Sequence, residues 1–145
     1  MKKLKYIIVL LTLAAIALCA CSRETPSQSA LSTIKSEFGI DLKTESVTVE
    51  RLAYTYDDGN IFGEGFAAYK ISFSHDASAH FAGLDTTPDA DADDGIELAR
   101  ENGVELPAVP DSTPFAYKSE NQGLNRVFLL YYSAENIAYL ITLDA

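Results

Sequence analysis

Cysteine is nearly missing from this 145-residue chain, and both copies, Cys19 and Cys21, fall in its amino-terminal segment. The body of the sequence therefore has no disulfide framework and no thiol nucleophile, and it must stabilise itself with an ordinary core. Histidine is almost as scarce. His75 and His80 stand five residues apart, unlike the four-residue spacing of helical zinc sites, so they point to different faces of a helix. With only two histidines, few general bases operate near neutral pH. No glycine-flanked nucleophile serine, two-histidine zinc motif or phosphate-cradling glycine loop is present. Positive charge is also short, with 11 basic residues against 21 acidic and a formal charge of −10. That sign disfavours nucleic acid and bare anionic lipid surfaces, and it favours cationic partners, divalent metals or solubility.

The longest apolar run, Tyr6 to Leu18, follows Lys2, Lys3 and Lys5 and is closed by Arg23 and Glu24. It is too short for the ~20 residues that span a bilayer, and its layout is that of a signal peptide. It ends in Leu18-Cys19-Ala20-Cys21, which resembles the lipobox of bacterial lipoproteins. The resemblance implies that residues 1–20 are removed and that Cys21 becomes a thioether to diacylglycerol. Each buried methylene contributes about 0.8 kcal/mol, so two or three acyl chains make dissociation from the membrane slow. The expected address is the extracytoplasmic face of the cell membrane. Ser22, unlike the aspartate that retains such proteins at an inner membrane, leaves an outer membrane open as the destination. Loss of the three signal lysines leaves 8 basic residues against 21 acidic, a formal charge of −13.

Residues 21–29, with Pro26 and small polar side chains, read as a flexible tether, and 30–145 as a single domain. Leu31, Ile34 and Phe38 recur at helical spacing before Gly39, predicting a helix over 30–38 capped by Ser27 or Ser29. In Val47 to Tyr56 the apolar alternation slips by one near Glu50 and Arg51: Val47 and Val49 are in one phase, and Leu52, Tyr54 and Tyr56 in the other. A bulge there accounts for the slip. Phe66 to Phe73 alternates cleanly, with Ala67, Tyr69, Ile71 and Phe73 on one face, and forms an antiparallel pair with the preceding strand.

Short helices are expected over 76–84 and 93–102, the second stopped by Gly103. Pro107, Pro110 and Pro114 enforce an extended connection to a strand at 115–118. Arg126 to Tyr132 and Ile137 to Leu143 read as a terminal hairpin. The whole is an α+β domain: an antiparallel sheet of about five strands with two or three short helices covering one face.

Phe38-Gly39-Ile40-Asp41, Asp58-Gly59, Gly63-Glu64-Gly65-Phe66 and Lys70-Ile71-Ser72-Phe73 together resemble a scattered group of small uncharacterised bacterial proteins. In that group a helix ending near Phe-Gly-Ile precedes a glycine-rich hairpin. The likeness implies that local arrangement and carries no activity.

Two constellations remain as candidate sites. Asp89, Asp91 and Asp93 alternate as at the start of a calcium-binding EF-hand loop, but with Asp89 as position one, Gly95 and Glu101 each come one residue late. The departure favours an acidic solvated loop that caps the next helix. Tyr54, Tyr56, Phe62 and Phe66 flank the glycine-rich loop and would serve either as a contact edge for a protein or glycan or as core. Asp57, Asp58 and Glu64 in that loop read as solvated charges rather than an acid–base pair. The expected function is thus a non-catalytic, lipid-anchored binding domain whose partner is another envelope protein and which needs no cofactor. The alternatives are a calcium- or cation-binding envelope module and, further off, a small hydrolase or hydrolase inhibitor.

Overall fold

The computed structural model describes residues 25–42, 46–56, 65–86, 90–108, 113–119 and 125–144. Within them run helix α1 (Pro26–Phe38), strands β1 (Val47–Tyr54) and β2 (Gly65–Phe73), helices α2 (Ser78–Phe81) and α3 (Ala90–Glu101), and strands β3 (Phe115–Ser119), β4 (Arg126–Tyr132) and β5 (Ile137–Asp144). The strands form one antiparallel sheet in the order β1-β2-β5-β4-β3. The expected α+β class and the expected strands are present. Among the described residues no helix is long and apolar enough to cross a membrane.

α1 begins at Pro26, so helix replaces the flexible tether expected over 26–29. Thr25 is the cap: its hydroxyl accepts from the Gln28 amide at 3.3 Å, and the Gln28 side chain accepts from the Thr25 amide at 3.1 Å. This reciprocal pair satisfies two otherwise orphaned donors, and Pro26 fits the first helical position because it has no N–H to lose. Gly39, at φ 71°, ends the helix and donates to the Lys35 carbonyl. Lys35 also bonds Asp41 just beyond the turn.

Alternation along the strands gives the sheet two buried faces. Ala67, Tyr69, Ile71, Phe73, Leu129, Tyr131, Ala138 and Leu140 form one core with Ala30 and Ile34 of α1 and with Leu42, Ala77 and Phe81. Phe66, Ala68, Phe128, Leu130, Tyr132, Tyr139 and Ile141 form the other with Ala92, Leu98 and Ala99 of α3. The helices are thus divided between both faces, where one covered face was expected. The cause lies in β4 and β5: Phe128 to Tyr132 and Ala138 to Ile141 are continuously buried, and runs apolar on both sides need cover on both sides.

α3 comes close to the sheet because Gly95 faces it. A β-carbon there would lie 2.8 Å from Cδ1 of Phe128. The helix starts at Ala90, so its backbone runs through the acidic stretch that was expected to be a loop, and Gly95 is a packing residue rather than a turn. The bulge in β1 falls at Leu52, between the pairs Arg51↔Tyr69 and Ala53↔Ala68. Leu52 and Ala53 pack on the α3 face, while Tyr54 and Tyr56 return to the α1 face with Val47 and Val49. Leu52 therefore does not share the tyrosines' side, as its phase had suggested.

Asn136 ends the β4–β5 turn at φ 55°, a conformation that asparagine tolerates. Its Oδ1 accepts from the Ala77 amide (3.1 Å) and the Tyr131 hydroxyl (2.8 Å), and its Nδ2 donates to the carbonyls of Phe73 (3.1 Å) and His75. Asn136→Gly keeps the backbone shape and removes all four bonds, so urea unfolding should show a loss of about 2–4 kcal/mol. In Gly95→Ala the gain of about 1 kcal/mol in helix propensity is outweighed by the clash with Phe128, typically about 1–3 kcal/mol. The variant should melt below the wild type, and Phe128→Leu in the same chain should restore part of the loss.

Candidate functional site

Along one side of α1, between the helix and the sheet, lies a cleft of ≈ 350 Å³. Its helix wall is Ser29, Thr33 and Glu37, spaced four apart and so stacked along one side of α1. Its sheet wall is Tyr54 at the end of β1 and Tyr56 just beyond it, Ala67 and Tyr69 of β2, Thr142 and Asp144 of β5 and Val127 of β4. A smaller hollow of ≈ 100 Å³ shares Glu37, Val127 and Asp144 and adds Lys118 and Asn125.

Small residues create the space. Gly65 pairs with Asp144 and Ala67 with Thr142, which leaves a trough in β2 where side chains elsewhere fill the interface. Tyr56 crosses that trough, and a β-carbon on Gly65 would lie 2.6 Å from its ring and 2.7 Å from its Cα. The Tyr56 hydroxyl donates to Oδ2 of Asp144 at 2.8 Å and is bonded to the Thr142 hydroxyl at 3.2 Å. Burial pushes this phenol well above the usual tyrosine range, with the Asp144 carboxylate adding to the shift and Thr142 opposing it. Tyr69, only 4% exposed, is also driven up by burial, opposed by its hydrogen bond with Ser29 and by Arg51. Both phenols are therefore neutral in the working range, and the single Tyr56 proton is committed to Asp144.

Tyr54 forms the rim at 45% exposure, its ring 5.2 Å from that of Tyr56. The bulge at Leu52 brings Arg51 onto the same side, with its guanidinium carbon 4.7 Å from the Tyr54 centroid. At the opposite end Lys118 Nζ bonds Oε2 of Glu37 at 2.6 Å. The described lining of the main cleft thus contains three phenols, three aliphatic hydroxyls and two carboxylates, and no basic residue.

The structure brings Tyr54 and Tyr56 together and separates them from Phe66. Phe66 precedes Ala67, faces the other way and is 1% exposed in the α3-side core, so it is not part of a contact edge. Phe62, Cys21 and Asp89 lie outside the described residues, as do Asp57, Asp58 and Glu64. Asp93 lies in α3 and is exposed, and Asp91 belongs to the same helix, where an EF-hand would need a loop. No group of three or more metal-ligating side chains converges among the described residues. His75 is exposed near α2 and His80 half-buried within it, away from the cleft lining. Sequence reasoning missed Ser29, Thr33, Glu37, Tyr69, Thr142 and Asp144 as a set. The readable signal was the four-residue repeat of polar side chains beside the apolar stripe of α1.

On the far face burial likewise pushes Tyr132 from 10.0 up to about 12, helped by Tyr139 and Glu135. These phenols all favour the protonated form when folded, so their contribution is complete below pH 10.0 and is lost as pH rises through the folded values. Phenolate absorbance should therefore lag the unfolded chain's titration, and denaturant midpoints should fall between pH 10.0 and about 12. Tyr132→Phe should reduce that fall.

Comparison with protein-family models, with curated proteins and with solved structures finds no match for this chain.

Proposed function

We propose that the chain is a lipid-anchored, extracytoplasmic binding domain, with Cys21 as the membrane attachment and the cleft beside α1 as the binding site. The single observation that carries the address is the placement of Leu18-Cys19-Ala20-Cys21 at the end of a short apolar run behind three lysines. Support for the binding role comes from the cleft, which is large enough for a small ligand or a side chain and puts an exposed tyrosine beside fixed hydroxyls and carboxylates.

The two ends of this reading are physically coupled. Thr25, which caps α1, is four residues from Cys21, a span of at most about 14 Å of chain. Ser29 in the first turns of α1 lines the cleft. A domain attached this closely works near the membrane surface, which suits a partner in the envelope rather than one free in solution.

Mass spectrometry of membrane-extracted protein should find a chain starting at Cys21 with a diacylglyceryl adduct, absent in Cys21→Ala. An intact Met1 in the mature product would refute the anchor. A photo-crosslinker in place of Tyr54 should capture an envelope protein on intact cells, while one in place of Asn102 beyond α3 should not. Equal labelling from both positions would refute the cleft as the binding surface.

A further inference from the structure

We propose that the cleft selects a cationic ligand, an organic molecule bearing an ammonium or guanidinium group. This rests on the reading of the cleft as the binding site and adds the sign of the ligand's charge. Its described lining carries Asp144, and Glu37 paired with Lys118 at the margin, and no basic side chain, so an anion entering it would face the Asp144 carboxylate with no cation in that lining to offset it.

The chain's own cations model the fit. At one end the Lys118 ammonium sits on Glu37 at 2.6 Å, and at the other the Arg51 guanidinium lies over the Tyr54 ring at 4.7 Å. Each margin of the cleft thus already holds one of the two cation types, by the two contacts available to them: carboxylate pairing and the face of a tyrosine.

Between those margins lies Asp144. Its oxygen accepts from a neutral donor, the Tyr56 hydroxyl at 2.8 Å, and a carboxylate has about four acceptor positions. A cation bound there would add charge pairing that a neutral polyol cannot supply. Tyr54, Tyr56 and Tyr69 would surround its apolar part, and Ser29, Thr33 and Thr142 would accept its remaining N–H groups. The formal charge of −13 after signal removal would raise the local concentration of such a ligand.

The test is calorimetric titration of the detergent-solubilised mature protein with agmatine, which carries both cation types, with chitotriose as a neutral probe and citrate as an anionic one. Agmatine should bind saturably. Asp144→Asn, which keeps an oxygen for Tyr56, should weaken it about tenfold, the size of one charge-assisted hydrogen bond. Tyr54→Leu should also weaken it, whereas Glu97→Gln on the exposed side of α3 should change it less than about twofold, as expected for a distant surface charge. Equal effects of Asp144→Asn and Glu97→Gln would overturn the proposal, because they would mean general attraction to an acidic surface. So would saturable chitotriose or citrate binding that Tyr54→Leu abolishes while agmatine stays unbound, an outcome that leaves a binding cleft of another selectivity. If no probe binds, cationic selectivity falls, and the Tyr54 crosslink alone decides whether the cleft binds at all.

Discussion

Asn136 joins two parts of the chain that are about 60 residues apart in sequence. From the turn between β4 and β5 its amide bonds the carbonyls of Phe73 and His75 at the exit of β2, the Ala77 amide at the start of α2, and the hydroxyl of Tyr131. Its own carbonyl accepts from the Phe73 amide. This fixes where the chain leaves β2, and α2 is thereby placed so that Phe81 stacks on Tyr131 at 4.2 Å with Phe73 at the edge of both rings. A left-handed backbone with two donors and two acceptors in use leaves asparagine as the residue that serves, because glycine lacks the amide and aspartate lacks the donors.

With that end of the α1-side core fixed, the other end opens. The Phe73, Phe81 and Tyr131 rings and Ile34 fill the space between α1 and the sheet near Asn136, whereas the small Ala67 leaves it open beside Tyr56. On the opposite face a glycine tightens the packing. Gly95 lets α3 descend onto Phe128 and closes the layer. Glycine thus admits a large ring on both faces, Phe128 beneath α3 at Gly95 and Tyr56 across β2 at Gly65.

Much of this was legible in the sequence where a local rule governs. Strand alternation in β2, the slip in β1, the stop at Gly103 and the turn before Ile137 all follow from side-chain period or backbone conformation within a few residues. The start of α1 was legible too, since Thr25 and Gln28 have capping-box spacing, but the apolar period begins only at Leu31 and drew the boundary inward. Phe66 was assigned to the aromatic edge by its nearness to Tyr54 and Tyr56, although the alternation that places Ala67 on the α1 side sends Phe66 to the other. The cleft was not legible. Tyr56 meets Thr142 and Asp144 across 86 and 88 residues of chain, and such pairings are set by sheet order, which no short-range pattern encodes.

Polarity at this end of the α1-side face is not what packing alone would select. Replacing hydrogen-bonded polar groups by apolar ones of the same shape is commonly neutral or stabilising, because burying the polar atoms offsets most of what their bonds contribute. A sheet that continued the Ile71 and Leu140 pattern through Thr142 and Asp144 would close against a helix whose Thr33 and Glu37 were apolar. Here the hydroxyls and carboxylates of α1 meet those of β5 across an open cleft, and Tyr56 is held to Thr142 and Asp144 with its phenol neutral. Matched polarity on two elements so distant in sequence lines a place where packing is left incomplete, and that supports the proposed reading of the cleft as a binding surface rather than a core.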